Sequence, residues 1–237
     1  MPDRRVLACA FAGVLAASGP LHAQEPDRRA TVAVLYFTNS ALVRHQEYEP
    51  LSKGITEMLI TELAGSPSLQ VVERDRLQAL LQEQDLVRSS QVDQETAVRL
   101  GKILGAQHLL MGGFIIDPRD NMRLDLRAVS VETSRVEYVE TVSGKSEEVL
   151  GLISQLGAKV NQRLRLAPMR SQIAPAGVKT SKADQLRAVM LLSRALEEKD
   201  KGNPQGAMAL YQQALDVYPE YTRAKVLLAS LETPRKP

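Results

Sequence analysis

The chain has 237 residues, of which 44% are apolar and 24% charged, with a formal net charge of +2. That length supports one sizeable core plus a smaller unit. The charge is close to neutral, no basic stripe is concentrated anywhere, and only 4% of residues are aromatic, with no Trp, which excludes nucleic acid as a principal partner.

The first element in chain order is a targeting segment. Arg4 and Arg5 precede the apolar run from Val6 to Ala17; Ser18, Gly19 and Pro20 break it, and Ala23 offers a small residue before a polar stretch. This layout predicts a secretory signal peptide over residues 1–23, cleaved after Ala23; the run is too short for a stable membrane anchor. Val6 to Cys9 read VLAC, like the end of a lipoprotein cleavage box, but only eight residues precede Cys9. That leaves no room for an apolar region before it. Removal of the signal takes away the one cysteine, and with it disulfides, thiolate metal sites and cysteine nucleophiles. A Gram-negative periplasm fits such a chain; a disulfide-built secreted scaffold does not.

Thr31 to Phe37 form an apolar, β-rich run that reads as a buried first strand. Leu51, Ile55, Met58, Leu59 and Leu63 then fall at helical spacing, with Gly65 and Pro67 as the stop. SLQVVE reads as a second strand and DRLQALLQEQDL as a helix with Leu77, Leu80 and Leu81 on one face. Between them Glu73, Arg74, Asp75 and Arg76 crowd a strand–helix junction, a favoured place for ligand groups in α/β proteins. A plainer reading is punctuation: Asp75 as N-cap, with Gln78 reaching back as in a capping box. A third helix follows, capped by Asp93 and ended by Gly105.

His108 to Ile116 are nearly all apolar and should form a central strand. The next strand points Met122, Leu124 and Leu126 inward, and its phase slips near Ala128 and Val129, which predicts a bulge. RVEYVETVSGK returns after a turn at Thr133 and Ser134, making an antiparallel meander with one wet face. A helix carrying Val149, Leu152, Ile153, Leu156 and Val160 covers the sheet. Residues 167–182 have no period and read as a linker. In the helical stretch 183–237, Ala195, Gly202, Ala207, Tyr211, Ala214 and Pro219 sit at the small, turn, aromatic and proline positions of one tetratricopeptide-like unit. Pro219 would start the following helix. Glu198 departs from that pattern, which usually has an aromatic there. A stack normally needs about three repeats, so this segment must lean on the first domain, another subunit or a partner. The predicted fold is α/β, a mixed sheet flanked by helices, followed by a small all-α tail. The domain limits are 1–23, 24–166, 167–182 and 183–237.

The stretches VAVLYF, GITEMLITELAGSPSLQVVERDRLQALLQEQDL and SSQVDQETAVRLGKILGAQHLLMGGF, in that order, resemble the family of the curli secretion channel CsgG and its periplasmic relatives. The resemblance covers roughly residues 31–160. It implies an α/β domain that assembles or docks without chemistry of its own. The departures are the missing lipobox and the short meander from Gln107 to Lys145, where a channel subunit would contribute long membrane hairpins.

No dinucleotide fingerprint, Walker loop or nucleophile elbow occurs. His45 reads as a solvated loop residue, His108 as a hydrogen-bonded strand residue, and two isolated histidines do not make a zinc site. Asp117 and Asp120 flank Pro118 in a turn, and Glu147 and Glu148 suit the first turn of a helix. No catalytic residue, cofactor, metal or small-molecule substrate is expected. Proteins of the envelope or secretion machinery are the expected partners, with self-association and peripheral membrane contact left open. Arg74, Arg76, Tyr211 and Tyr218 are the candidate partner-binding residues. The helical tail either receives a partner segment or only pads the first domain. An accessory or scaffold role is the first reading, an export-channel subunit the alternative, and a hydrolase working through Glu73 or Asp75 the last.

Overall fold

The computed structural model describes residues 29–85, 93–168 and 170–233. The expected signal peptide, its cleavage position and Cys9 lie outside the described residues. Strand β1 (Ala30–Val34) places Val32 and Val34 on one face and Ala33 on the other, all buried, as a strand covered on both sides requires. β2 (Thr38–Asn39) and the single turn α1 (His45–Tyr48) lead into α2 (Leu51–Ala64), whose Leu51, Ile55, Met58, Leu59 and Leu63 are all fully buried. β3 (Leu69–Val71) pairs parallel with one edge of β1. The chain then crosses through α3 (Arg74–Glu83) and α4 (Gln94–Leu104) to β4 (His108–Ile116), parallel to β1 on its other edge. β4, β5 (Asn121–Ser130) and β6 (Val136–Lys145) complete an antiparallel meander. The result is a six-stranded sheet ordered β3-β1-β4-β5-β6, with β2 alongside β4.

Local signals explain several of these boundaries. Asp93 caps α4 by accepting from the Thr96 amide at 2.8 Å, and Gly105 ends it at φ 70, a left-handed conformation that favours glycine. The register shift between Ala128 and Val129 is the bulge that the phase slip in β5 predicts. Asp117 holds the β4–β5 turn by accepting from the Arg119 and Asn121 amides at 2.8 and 2.9 Å.

Helices cover both faces. α3 and α4 bury Leu77, Leu80, Leu81, Val98 and Leu104 against Ala33, Leu35 and Leu109. On the opposite face α2 and α5 (Val149–Arg163) cover Met122, Leu124 and Leu126. The same apolar cluster runs on into α6 (Lys182–Asp200), α7 (Pro204–Val217) and α8 (Thr222–Glu232), through Val189, Leu192, Leu196, Tyr211 and Tyr221. Helix α6 approaches α2 so closely that a Cβ on Gly54 would fall 1.9 Å from Ser193 Oγ. The C-terminal helices therefore lean on the helix layer of the sheet.

Among the described residues the connection from α5 to α6 has no helix or strand, yet it is fastened to α2. The buried Glu62 carboxylate accepts from the amides of Gln172 (2.8 Å) and Ile173 (3.2 Å) and from the hydroxyls of Ser154 (2.9 Å) and Ser171 (3.1 Å). Ile173 is itself buried in the main core.

The start of α3 corrects the capping expectation. Glu73, not Asp75, occupies the cap position, and no side chain caps the helix. Asp75 instead faces Arg74 Nη2 at 2.9 Å and Lys199 Nζ at 2.6 Å. Gln78 is buried and accepts from the Tyr36 hydroxyl at 2.6 Å rather than reaching back to the backbone. The start of α8 is corrected too: Pro219 lies in a turn and the helix begins at Thr222. Stacking of the Tyr218 and Tyr221 rings, 5.1 Å between centroids, and the Tyr221 amide bond to the Tyr218 carbonyl at 3.0 Å hold that turn.

Candidate functional site

The chain leaves β1 through Leu35, Tyr36 and Phe37 at the carboxyl end of the parallel strands. Successive crossovers here go to opposite edges of β1, which in open α/β sheets opens a crevice suited to ligands. A cleft of about 750 Å³ lies there. Its floor is made by Tyr36, Phe37 and the Gly112–Gly113 pair of β4. A Cβ at Gly112 would meet the Phe37 ring at 2.5 Å and the Asp125 carbonyl at 2.7 Å, so a side chain in place of Gly112 would collide with the strand packing. Ser52 and Lys53 of α2 and Glu197 of α6 line the cleft from the helical side; Arg123, Asp125 and Arg127 of β5 and Val136, Val139 and Thr141 of β6 line it from the meander.

Behind the cleft a buried charge network fixes the helical side. Arg74 Nη1 donates to Asp200 Oδ2 at 2.9 Å and Nη2 to Asp200 Oδ1 at 3.0 Å. Arg74 Nη1 also donates to the Tyr36 hydroxyl at 3.0 Å, while Nε stands 3.3 Å from Glu57 Oε2, within ion-pair range but not aligned as a hydrogen bond. Lys53 Nζ reaches Asp200 Oδ2 at 2.6 Å and sits 5.6 Å over the Tyr36 ring. Arg223 Nε donates to Glu57 Oε1 at 2.6 Å. Burial opposes the Arg74 charge, but Tyr36, Asp200 and Glu57 more than offset it, so the guanidinium stays protonated. Burial likewise pushes the Tyr36 phenol well above its usual range.

The candidate contact residues separate under this geometry. Arg74 is 2% exposed, Tyr211 fully buried and Tyr218 1% exposed, so all three face inward. Arg74 is a cross-brace because its partners come from α2, α3 and the end of α6, and a charge this buried must be paired. The tyrosines are helix-packing residues. Arg76, two positions along α3 from Arg74, is exposed. His45 Nδ1 lies 3.9 Å from Glu49, and His108 Nδ1 pairs with Glu137 at 2.7 Å. Reading the sequence alone missed Lys53, Glu57, Glu197 and Asp200. Glu57 did carry a signal, since a carboxylate interrupts an apolar helix stripe between Ile55 and Met58. The glycine doublet in an otherwise apolar strand was another.

The model of one protein family matches residues 17–117, and its description is curli production assembly/transport component CsgG. That match takes in β1 to β4 and covers less than half of the chain. No curated protein sequence matches. Among solved structures, the LpoB C-terminal domain from Salmonella enterica is similar at 15% identity over 49% of this chain and 82% of that one, with a TM-score of 0.37. A lipoprotein from Neisseria meningitidis, GNA1162, is similar at 13% identity over 56% of this chain and 95% of that one, TM-score 0.40. The PelC dodecamer from Paraburkholderia phytofirmans is similar at 15% identity over 59% and 90%, TM-score 0.37. Likeness at this distance carries no functional argument.

Proposed function

We propose that this chain is a non-enzymatic accessory or scaffold protein of the bacterial envelope. It is exported to the periplasm and serves a secretion or curli-type transport complex through contacts with other proteins. The observation that carries this reading is the match of the CsgG family model to residues 17–117, the parallel half of the sheet with its helices. The cleft supports it as well, because exposed valines stand there beside charged side chains of both signs, the mixed apolar and charged character of a protein contact surface. An export-channel subunit finds less support: β5 turns Arg123, Asp125 and Arg127 outward and commits Met122, Leu124 and Leu126 to the core, leaving no apolar row for lipid. We read residues 183–237 as a tetratricopeptide-like unit joined to an α/β domain over 24–166; in favour, Ala195, Ala207, Tyr211 and Ala214 are all fully buried.

The test is cell fractionation of a tagged full-length chain, followed by chemical cross-linking in intact cells. Release by osmotic shock, with cross-links to envelope proteins, is the expected result. Retention in the cytoplasm, or extraction only by detergent as rings, would overturn it.

A further inference from the structure

Most charged groups of the cleft are already satisfied by neighbours. Lys53 pairs with Asp200 at 2.6 Å, Arg123 with Asp125 at 2.8 Å, Asp125 accepts from the Thr141 hydroxyl at 2.7 Å, and Glu49 accepts from Asn39 at 3.0 Å. Glu197 and Arg127 stand apart. Among the described residues, neither the Glu197 carboxylate nor the Arg127 guanidinium makes a hydrogen bond or an ion pair, although both line the cleft. Glu197 comes from the last turns of α6, which the Asp200 network fixes in place; Arg127 comes from β5 on the meander side. The surface beside Arg127 is apolar. Val139, its cross-strand partner, is 60% exposed, and Val136 is 46% exposed. The two valines add apolar surface to the strand that forms one end of the sheet order, the kind of strand to which another chain can be added.

We propose that the cleft binds an extended peptide segment of a partner protein, with a basic group against Glu197, an acidic group against Arg127, and apolar side chains over Val136 and Val139. The assignment rests on the protein-binding reading above and names the chemistry of the segment. Charge complementarity argues for it: an anionic ligand would suit Arg127 and leave Glu197 repelled, and a cationic one the reverse. A single zwitterionic amino acid would supply both charges but would leave most of a 750 Å³ cleft and both valines uncovered. An extended segment supplies both charges and the apolar cover. Burial also pushes the Glu197 carboxyl upward, with Lys53 and Lys201 working against it, so a ligand cation would relieve a carboxylate the chain itself leaves unpaired.

The test uses the full chain and a fluorescent peptide series with Lys and Glu separated by two to five valine and threonine residues. Matched series replace both end residues with Lys or both with Glu, and binding is read by anisotropy. The expected result is that a Lys/Glu peptide binds best. Glu197→Gln and Arg127→Gln should each weaken it about two- to fivefold, with the unfolding temperature unchanged for Arg127→Gln. Glu197→Lys should switch the preference to the Glu/Glu series, a gain that a merely structural role would not produce. The proposal is overturned if affinities are equal across the series, if the substitutions leave them unchanged, or if free amino acids bind as tightly as the peptides. It is also overturned if no peptide binds; envelope cross-links that persist in the Glu197 and Arg127 variants would then leave the accessory role standing by itself.

Discussion

Arg74 and Asp200, 126 positions apart, face each other at 2.9 Å and join the first residue of α3 to the last residue of α6. Breaking a buried pair strands its partner's charge, so Asp200→Ala should cost about 3–5 kcal/mol, read as a lower denaturant midpoint. Replacing both, as Arg74→Met with Asp200→Leu, should recover part of that loss, because the buried guanidinium is gone and Glu57 keeps Arg223 at 2.6 Å, although Lys53 still loses Asp200. A double variant no more stable than Asp200→Ala would contradict the brace.

Gly54→Ala should be destabilising by about 1–3 kcal/mol, against the usual sign for an interior helix glycine. The reason is the close approach of Ser193, whose Oγ stands 1.9 Å from the position a Cβ would take. Combining it with Ser193→Gly should restore stability. Thermal unfolding of the single and double variants checks this.

Glu62→Ala removes the acceptor of the Gln172 and Ile173 amides, bonded at 2.8 and 3.2 Å. Stranding these donors should cost about 1–3 kcal/mol. Trypsin should then cleave after the exposed Arg170 well before the rest of the chain. An unchanged cleavage rate at that bond would show that the carboxylate does not hold the connection.

The burial-raised Glu197 carboxyl predicts a pH dependence with a definite sign. Its folded pKa lies above the ordinary value of 4.5, so the folded state binds the extra proton. Stability from this group is therefore lost as pH rises from 4.5 through the folded value, and is flat beyond it. Subtracting the Glu197→Gln stability curve from that of the natural chain should give a difference that falls across this window. A difference that rises there would contradict the unpaired placement.

How much of this was legible in the sequence depends on the range of the interaction. The stripe of Leu51, Ile55, Met58, Leu59 and Leu63, the Asp93 cap and the β5 phase slip each repeat or act within a few residues, so periodicity and turn chemistry expose them. From the sequence Arg74 is only a junction charge, because its partner lies at the far end of α6 and nothing local marks a pairing across such a separation. Tyr211 is a candidate contact residue in the sequence because a repeat pattern specifies residue type at a position. It does not specify which side a neighbouring layer will cover. The cleft needed both α6 and the meander to be placed, so Glu197 and Arg127 had no common context along the chain.

The same continuity bears on how the tail should be tested. Val189, Leu192 and Leu196 share the main core with the sheet, so deletion of residues 183–237 would uncover that core rather than remove an appendage. Point substitutions in the cleft are the cleaner probe.

The most direct measurement is site-specific photo-cross-linking in intact cells, with a photoreactive residue at Val139 in the cleft and, for comparison, at the exposed Ile103 of α4. An envelope protein cross-linked at position 139, absent at 103 and lost when Glu197→Lys is added, is the predicted result. Cross-links at 103 alone, or cross-links at 139 that survive Glu197→Lys, would contradict the account.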